Sequence, residues 1–334
     1  MPSQGTVPQS GFADDIALVT VIGESLVDII DDPDSGNTAP EKHPGGSPLN
    51  VAVGCARLGL RTKLVTHFAD DPYGQLIAEH LDKNGVETIV GGSQPTSTAL
   101  ATLDDTGAAR YTFDINWDLN GASIPALVAA ESSLHVHTGS IATVLPPGSK
   151  SVLSLIEGSR HHATISFDPN CRPAISPNKA ATREQAEDFV AASDIVKASD
   201  EDLRWLYPNR TPEESMEAWL ALGPALVALT RGAEGPVILS TSGRVAMPAE
   251  TITVRDTVGA GDSFMAALVA GLAQLDVLGA AARERLRTIT QEQLDAVARY
   301  ANKAAAITCS RLGANPPTLA DLGALTVPLS TIES

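Results

Sequence analysis

The feature that most limits the fold is an alternation of two hydrophobic periods along the chain. Short apolar runs ending in polar residues recur at Thr62–His67, Leu134–His137, Thr164–Phe167, Asp194–Lys197, Ala225–Thr230 and Val237–Leu239. Helical patterns fall among them at Ser47–Leu58, Gly74–Asn84, Asp262–Gln274 and Gln291–Thr308. Ser47-Pro48 opens the first helix as a favoured cap followed by a favoured first residue, and Gly59 closes it. Strands alternating with helices predict an α/β fold with a mostly parallel central sheet between two helical layers. Ala17–Ile30 reads as a buried strand broken at Gly23-Glu24 and resumed at Leu26. One segment interrupts the rhythm: Thr98–Leu103 and Ala109–Phe113 flank Asp104-Asp105-Thr106-Gly107, a hairpin signal. The Asp-, Pro- and Gly-rich stretch Asp31–Gly46 reads as a loop or short edge strands. Together these predict one body over residues 16–325 carrying a small antiparallel β lid from about 31–45 and 96–118, with 1–14 and 326–334 as flexible ends.

In open α/β sheets, ligands bind beyond the carboxyl ends of the strands, so the residues following each strand hold the candidate chemistry. The richest such segment is Asp256-Thr257-Val258-Gly259-Ala260-Gly261-Asp262, which runs straight into the apolar helix Ser263–Ala270. Two glycines ahead of a helix let successive N–H groups converge, and the helix start adds about half a positive charge. Such a turn suits an anion. Phosphoryl transfer needs positioning, charge stabilisation and a base for the attacking hydroxyl, and Asp262 stands where that base belongs. The same residues also read as a tight turn at Gly259 and Gly261 with Asp262 capping a helix. The chain has neither a Gly-Lys-Ser/Thr phosphate loop nor a strand–Gly-x-Gly-x-x-Gly–helix unit, which turns the reading away from P-loop proteins and nicotinamide oxidoreductases.

Charge narrows the partners further. A net charge of −17 speaks against nucleic acid and anionic membranes, both of which need cationic patches. An acidic chain holding a phosphorylated ligand must create local positive potential from backbone N–H groups, metal ions and a few Arg or Lys. Cys55, Cys171 and Cys309 are far apart and form no CxxC pair, so neither a zinc cluster nor a disulfide framework is indicated. Residues 1–14 lack the layout of a signal peptide and no apolar run is long enough for a bilayer, so the expected location is cytoplasmic.

Asp256-Thr257 with Gly259-Ala260-Gly261-Asp262-Ser263-Phe264 resembles the C-terminal signature of the ribokinase-like sugar kinases, the phosphofructokinase-B family. Gly45-Gly46-Ser47-Pro48-Leu49-Asn50-Val51-Ala52, continuing through Ala56-Arg57-Leu58-Gly59, resembles that family's N-terminal signature. Two long signatures in this order are far more specific than either alone, and the resemblance covers roughly residues 16–325. It implies a three-layer α/β/α ribokinase-like body with a small antiparallel lid. It also implies Asp262 as the catalytic base, with the N–H groups of Gly259, Ala260 and Gly261 stabilising the transferred charge.

Asp28 interrupts an apolar strand pattern between Leu26 and Ile30, as either a solvent-facing edge residue or a carboxylate for two vicinal hydroxyls. Its place after Gly23-Glu24 is similar to the family's first strand, whose aspartate binds sugar hydroxyls. Gly45 and Gly46 permit close approach of a sugar to the backbone, and Asn50 either caps locally or lines the substrate site; the resemblance implies the latter. Asp168-Pro169-Asn170-Cys171-Arg172 reads alone as a turn, yet resembles the fructokinase and 2-keto-3-deoxygluconate kinase branch, where the Asn and Arg reach substrate and phosphate. Trp117 is expected to stack on a sugar or to sit exposed at an interface.

On the nucleotide side, Thr230-Arg231-Gly232-Ala233-Glu234-Gly235 resembles the family's segment that touches ATP, implying contacts from Thr230, Gly232 and Gly235. Ser199 lies in a Lys-x-Ser-x-x-Asp run similar to one linked to Mg2+ and phosphate, with Asp202 where the family usually has Glu. Asn302 matches an asparagine near the adenine, and Asp256 a ligand to a monovalent cation such as K+. His135, His137, His161 and His162 lack metal-ligand spacing and read as strand or loop histidines.

The implied activity is ATP- and Mg2+-dependent phosphorylation of a primary sugar hydroxyl, first of D-fructose, with 2-keto-3-deoxygluconate and ribose as alternatives. A non-catalytic sugar-binding regulator is the reading from another class. A homodimer through the lid is frequent in the family.

Overall fold

The computed structural model describes residues 17–31, 39–103 and 109–327. The expected flexible end 1–14, most of 326–334, part of the lid at 32–38 and the turn at 104–108 lie outside the described residues. The strands in chain order are β1 (Leu18–Ile22), β2 (Leu26–Asp31), β3 (Glu41–Gly45), β4 (Arg61–His67), β5 (Val86–Gly91), β6 (Ser97–Leu103) and β7 (Ala109–Asp114), then β8 (His135–Gly139), β9 (Thr164–Asp168), β10 (Ile195–Ser199), β11 (Leu226–Thr230), β12 (Val237–Ser240) and β13 (Gly243–Ala246).

Nine strands form one sheet in the order β13-β12-β11-β10-β9-β8-β1-β4-β5. All pairs from β11 to β5 are parallel. Every residue of β1, β8 and β9 is buried, as strands covered on both faces require. Period-two alternation divides the core between those faces. Val21, Ile195 and Leu226 pack under the helices Ser47–Arg57, Ala260–Gln274 and Gln291–Cys309. Their chain neighbours Ile22, Val196 and Val227 pack with Ile156, Phe189 and Trp219 on the other side. The three layers are the expected ones. Only a short turn separates Thr230 from Val237, too little for a crossover, so β12 and β13 return antiparallel at the edge.

The second sheet has the order β3-β2-β6-β7. Its β2–β3 and β6–β7 pairs are antiparallel, and they join through one parallel pair, β2–β6. Leu26–Asp31 therefore belongs to this sheet and does not resume β1. The reason is in the strand itself: Asp28 and Asp31 are only half-buried and Ile30 is exposed. A strand of that pattern cannot occupy a parallel sheet covered on both faces. Leu26 and Ala99 of this sheet, with Phe113 and Ile115, pack on Ile141, Leu145 and Ile175 of the body. The small sheet thus covers the carboxyl ends of β8 and β9. Among the described residues no helix is long and apolar enough to cross a membrane.

Candidate active site

The glycine turn is built as its sequence suggests. Gly259 takes a left-handed φ of 74° and precedes the helix Ala260–Gln274. A Cβ there would lie 2.7 Å from the Ala314 Cβ, so both conformation and space demand glycine. Asp262 is the third residue of the helix, 8% exposed, and its carboxylate does not cap the helix. Oδ1 accepts from Ser47 Oγ at 2.6 Å and Oδ2 from Asn50 Nδ2 at 2.8 Å. Ser47 departs from expectation: Gly46, with φ 106°, holds the cap position and makes no side-chain cap bond. The Ser47 hydroxyl is therefore free to reach across to Asp262.

Beneath the turn lies a pair the sequence reading did not single out. Lys197 Nζ donates to Asp168 Oδ2 at 2.6 Å, with both side chains buried. The pair arises because β9 and β10 are adjacent and parallel, with Ser166 opposite Ile195. A Cβ on Gly261 would come within 2.9 Å of Lys197 Nζ, so the ammonium lies directly against the glycine turn. Burial disfavours the charged lysine, but the carboxylates of Asp168, Asp202 and Asp262 outweigh it and raise its pKa. Burial pushes Asp168 up to about 6, opposed by Lys197, so at neutral pH the pair is ionic.

Around Asp28, the smaller sheet supplies a second acidic wall. A Cβ on Gly45 would lie 2.3 Å from Asp28 Oδ2, so the missing side chain makes room for the carboxylate. Burial raises the Asp28 pKa to about 6, against the opposing charges of His43 and Arg172. Glu24, 2% exposed, accepts from the Ala142 N–H at 3.0 Å, and burial pushes its pKa up to about 7 against its hydrogen bonds and Arg172. Trp117 neither stacks in the pocket nor lies exposed. It is buried and donates Nε1–H to the Ala142 carbonyl at 3.0 Å, so the Ala142 peptide is held from both ends. Arg172 is exposed and donates to the carbonyls of Asn170 and Cys171, while Asn170 takes a positive φ of 35°.

A cleft of about 960 Å³ opens beside the glycine turn. Ala260 and Gly261 line it together with Ser199, Thr230, Gly232, Gly235, Asn302, Asn170 and Arg172. The residues expected on the nucleotide side thus share one cavity. Asp28, Gly45, Gly46, Asn50 and Asp262 are not among its walls, and Asp262 lies between the two groups in contact with Asn50. Asn302 donates to the Pro248 carbonyl at 3.0 Å. Asp202 accepts from Cys171 N–H through Oδ1 and from Ser199 through Oδ2, closing a capping box on the helix Asp200–Leu206. It ties the loop after β9 to the helix after β10. Asp256 accepts from the N–H groups of Val258 and Gly313 and so pins the glycine turn. His135 and His137 are strand residues buried in the body.

The profile of pfkB family carbohydrate kinases matches residues 16–321. The fructokinase of Rhizobium leguminosarum bv. trifolii is 31% identical over 261 residues, covering 76% of this chain and 79% of that protein. The Vibrio alginolyticus fructokinase is 32% identical, covering 77% of this chain and 84% of its own length. Among solved structures, the Vibrio cholerae O395 fructokinase in its fructose-, ADP- and calcium-bound form superposes with a TM-score of 0.72 at 25% identity, over 90% of this chain and 95% of that one. The Xylella fastidiosa fructokinase with bound ATP shares the fold, with a TM-score of 0.80 at 22% identity over 91% of this chain and 96% of its own. With both signatures, the three-layer body and the glycine turn in place, the chain belongs to the pfkB family of carbohydrate kinases.

Proposed function

We propose that the protein transfers the γ-phosphoryl group of ATP to a primary hydroxyl of D-fructose, with Asp262 as the base. The observation that carries this reading is the Asp262 carboxylate, fixed at a helix start by Ser47 and Asn50 between the cleft and the Asp28 wall. ATP would occupy the cleft past Thr230, Gly232, Gly235, Ser199 and Asn302, with its γ-phosphate at the N–H groups of Gly259 and Gly261, while the Ala260 N–H is taken by the Thr257 carbonyl at 3.2 Å. Lys197 lies under that turn with its ammonium paired to Asp168, so it adds directed N–H groups, not a free charge, to the helix dipole. The sugar would sit between Asp28, Gly46 and Asn50, its hydroxyl presented to Asp262, with Asn170 and Arg172 along its other side.

Mg2+ would neutralise charge on the phosphates, held in part by Asp200 and Glu201 at the cleft wall. Among the described residues no three metal-binding side chains converge, which fits a cation carried mainly by phosphate and water. A K+ ion would share the Asp256 carboxylate beside the turn.

Local charge favours a neutral sugar over a keto acid. Burial leaves Glu24 about half neutral at pH 7, but Asp28 is ionised there, and a carboxylate that accepts sugar hydroxyls would repel a substrate carboxylate placed beside it. ADP release measured across ketoses, aldoses and keto acids tests the reading. Fructose should stimulate release most strongly; a keto acid in first place, or no sugar stimulating release, would contradict it.

A further inference from the structure

A file of polar side chains is buried on the sheet face that carries the helix Ala260–Gln274. His135 and His137 of β8 lie beside Thr164 and Ser166 of β9, and Val21 and Ile195, which pair with His137 and Ser166, belong to the core beneath that helix. Counting protons along the file leaves two orders, which differ in the tautomer of each histidine. Thr164 Oγ1 accepts from the Gly279 N–H, and its one proton goes either to the Leu134 carbonyl at 3.3 Å, with His135 Nδ1 donating to it, or to His135 Nδ1 at 3.0 Å. In the first order His135 Nε2 is an acceptor for the Ser166 hydroxyl at 2.7 Å. In the same order Ser166 Oγ accepts from His137 Nδ1 at 2.8 Å. This order leaves His137 Nε2 as a bare lone pair, whereas the opposite order leaves it an N–H without a partner. It is the one buried side-chain polar atom without a hydrogen-bond partner among the described residues.

A donor is close by. Lys197 stands two residues beyond Ile195 on the same sheet face, with its ammonium on Asp168, two residues beyond Ser166; after burial and His135, its charge lowers the His137 pKa to about 3. The imidazole is therefore neutral at working pH, and beside the Lys197 cation the order that turns a lone pair towards it is favoured over the one that turns an N–H. Among the described residues the Lys197 ammonium donates only to Asp168, which leaves two N–H groups for other acceptors.

We propose that His137 is a positioning residue for phosphoryl transfer: its Nε2 accepts, through one buried water, a hydrogen bond from the Lys197 ammonium and holds that charge against Gly261. A water there has the Lys197 donor, the His137 acceptor and the Asp168 carboxylate as partners, the number a buried water normally requires. The role in transfer rests on the kinase reading of the glycine turn; the tautomer and the water do not.

Two measurements test it. In the wild-type protein, nitrogen NMR of labelled histidines should find His137 protonated at Nδ1 and bare at Nε2. A high-resolution crystal structure should place an ordered water between Nε2 and Lys197. A proton on Nε2, or a dry site, overturns the proposal. In kinetics, His137→Leu should lower kcat by about tenfold to a hundredfold, the worth of one hydrogen bond to a charged group, while both KM values stay within about twofold. His137→Gln, whose amide oxygen still accepts, should recover most of that loss. Equal impairment of the two variants, or none in His137→Leu, overturns the positioning role. If His137→Leu does not fold, the wild-type tautomer and water decide. Wild-type protein that phosphorylates no sugar would instead sink the kinase reading, with both wild-type measurements still readable.

Discussion

Ser47 and Asp262 lie 215 residues apart in the chain and are joined by a hydrogen bond of 2.6 Å. That bond, with its neighbour from Asn50, sets the direction in which the carboxylate can face a hydroxyl. Ser47→Ala removes one of two fixing donors without touching the nucleotide cleft. Hydrogen bonds to charged groups contribute about 1.5–3 kcal/mol, so kcat should fall by about tenfold to a hundredfold with the ATP KM unchanged. Steady-state kinetics with sugar and ATP varied separately check this.

Gly45 and Asp28 give a prediction confined to the sugar. A Cβ at Gly45 would sit 2.3 Å from the Asp28 carboxylate, so Gly45→Ala must displace it. The sugar KM should rise by about tenfold or more, the scale of one lost charged hydrogen bond, while the ATP KM holds. Equal changes in both KM values would count against Asp28 as a sugar contact.

Asp28 also predicts a pH limb. Burial raises its pKa to about 6, and a carboxylate that accepts two hydroxyl protons must be ionised to bind. Sugar kcat/KM should therefore fall as pH drops through about 6. Asp28→Asn should abolish that limb and lower the plateau; a pH profile of both proteins reads it.

Glu24 predicts a stability effect of opposite sign to that of a salt-bridged acid. Its pKa is about 7 in the fold against an ordinary value of 4.5, chiefly because the carboxyl is buried. Between those values the folded protein binds the extra proton, so stability falls as pH rises from 4.5 to 7 and then levels. The gap bounds the cost of ionising the buried group at about 3 kcal/mol. Glu24→Gln keeps an acceptor for the Ala142 N–H and has no charge to bury. Its Tm should exceed that of the wild type at pH 8, with the difference shrinking toward pH 5; thermal melts across that range check the trend.

Much of this arrangement was legible in the chain. Thr164–Phe167 and Ala225–Thr230 announced parallel strands by their apolar runs, and Gly259 and Gly261 before an apolar helix announced the turn. Ser47 was not legible as a partner of Asp262, because Ser-Pro before a helix carries the signal of a cap, and only the positive φ of Gly46 moves the cap one residue back. Lys197 and Asp168 escaped because strand adjacency in a parallel sheet is a property of topology that neither strand encodes alone. Leu26–Asp31 was assigned to the wrong sheet because its half-polar pattern matters only once the full burial of the parallel strands is known. Trp117 was read by residue type, and its buried indole instead braces Ala142.

The central claim is that Asp262 takes the proton from the sugar hydroxyl. Turnover and sugar binding measured side by side in Asp262→Asn test it most directly. The account predicts a variant that still binds fructose by calorimetry and whose kcat falls by about 10²–10⁴, the range for loss of a general base. Sugar binding retained with near-wild-type turnover would contradict it.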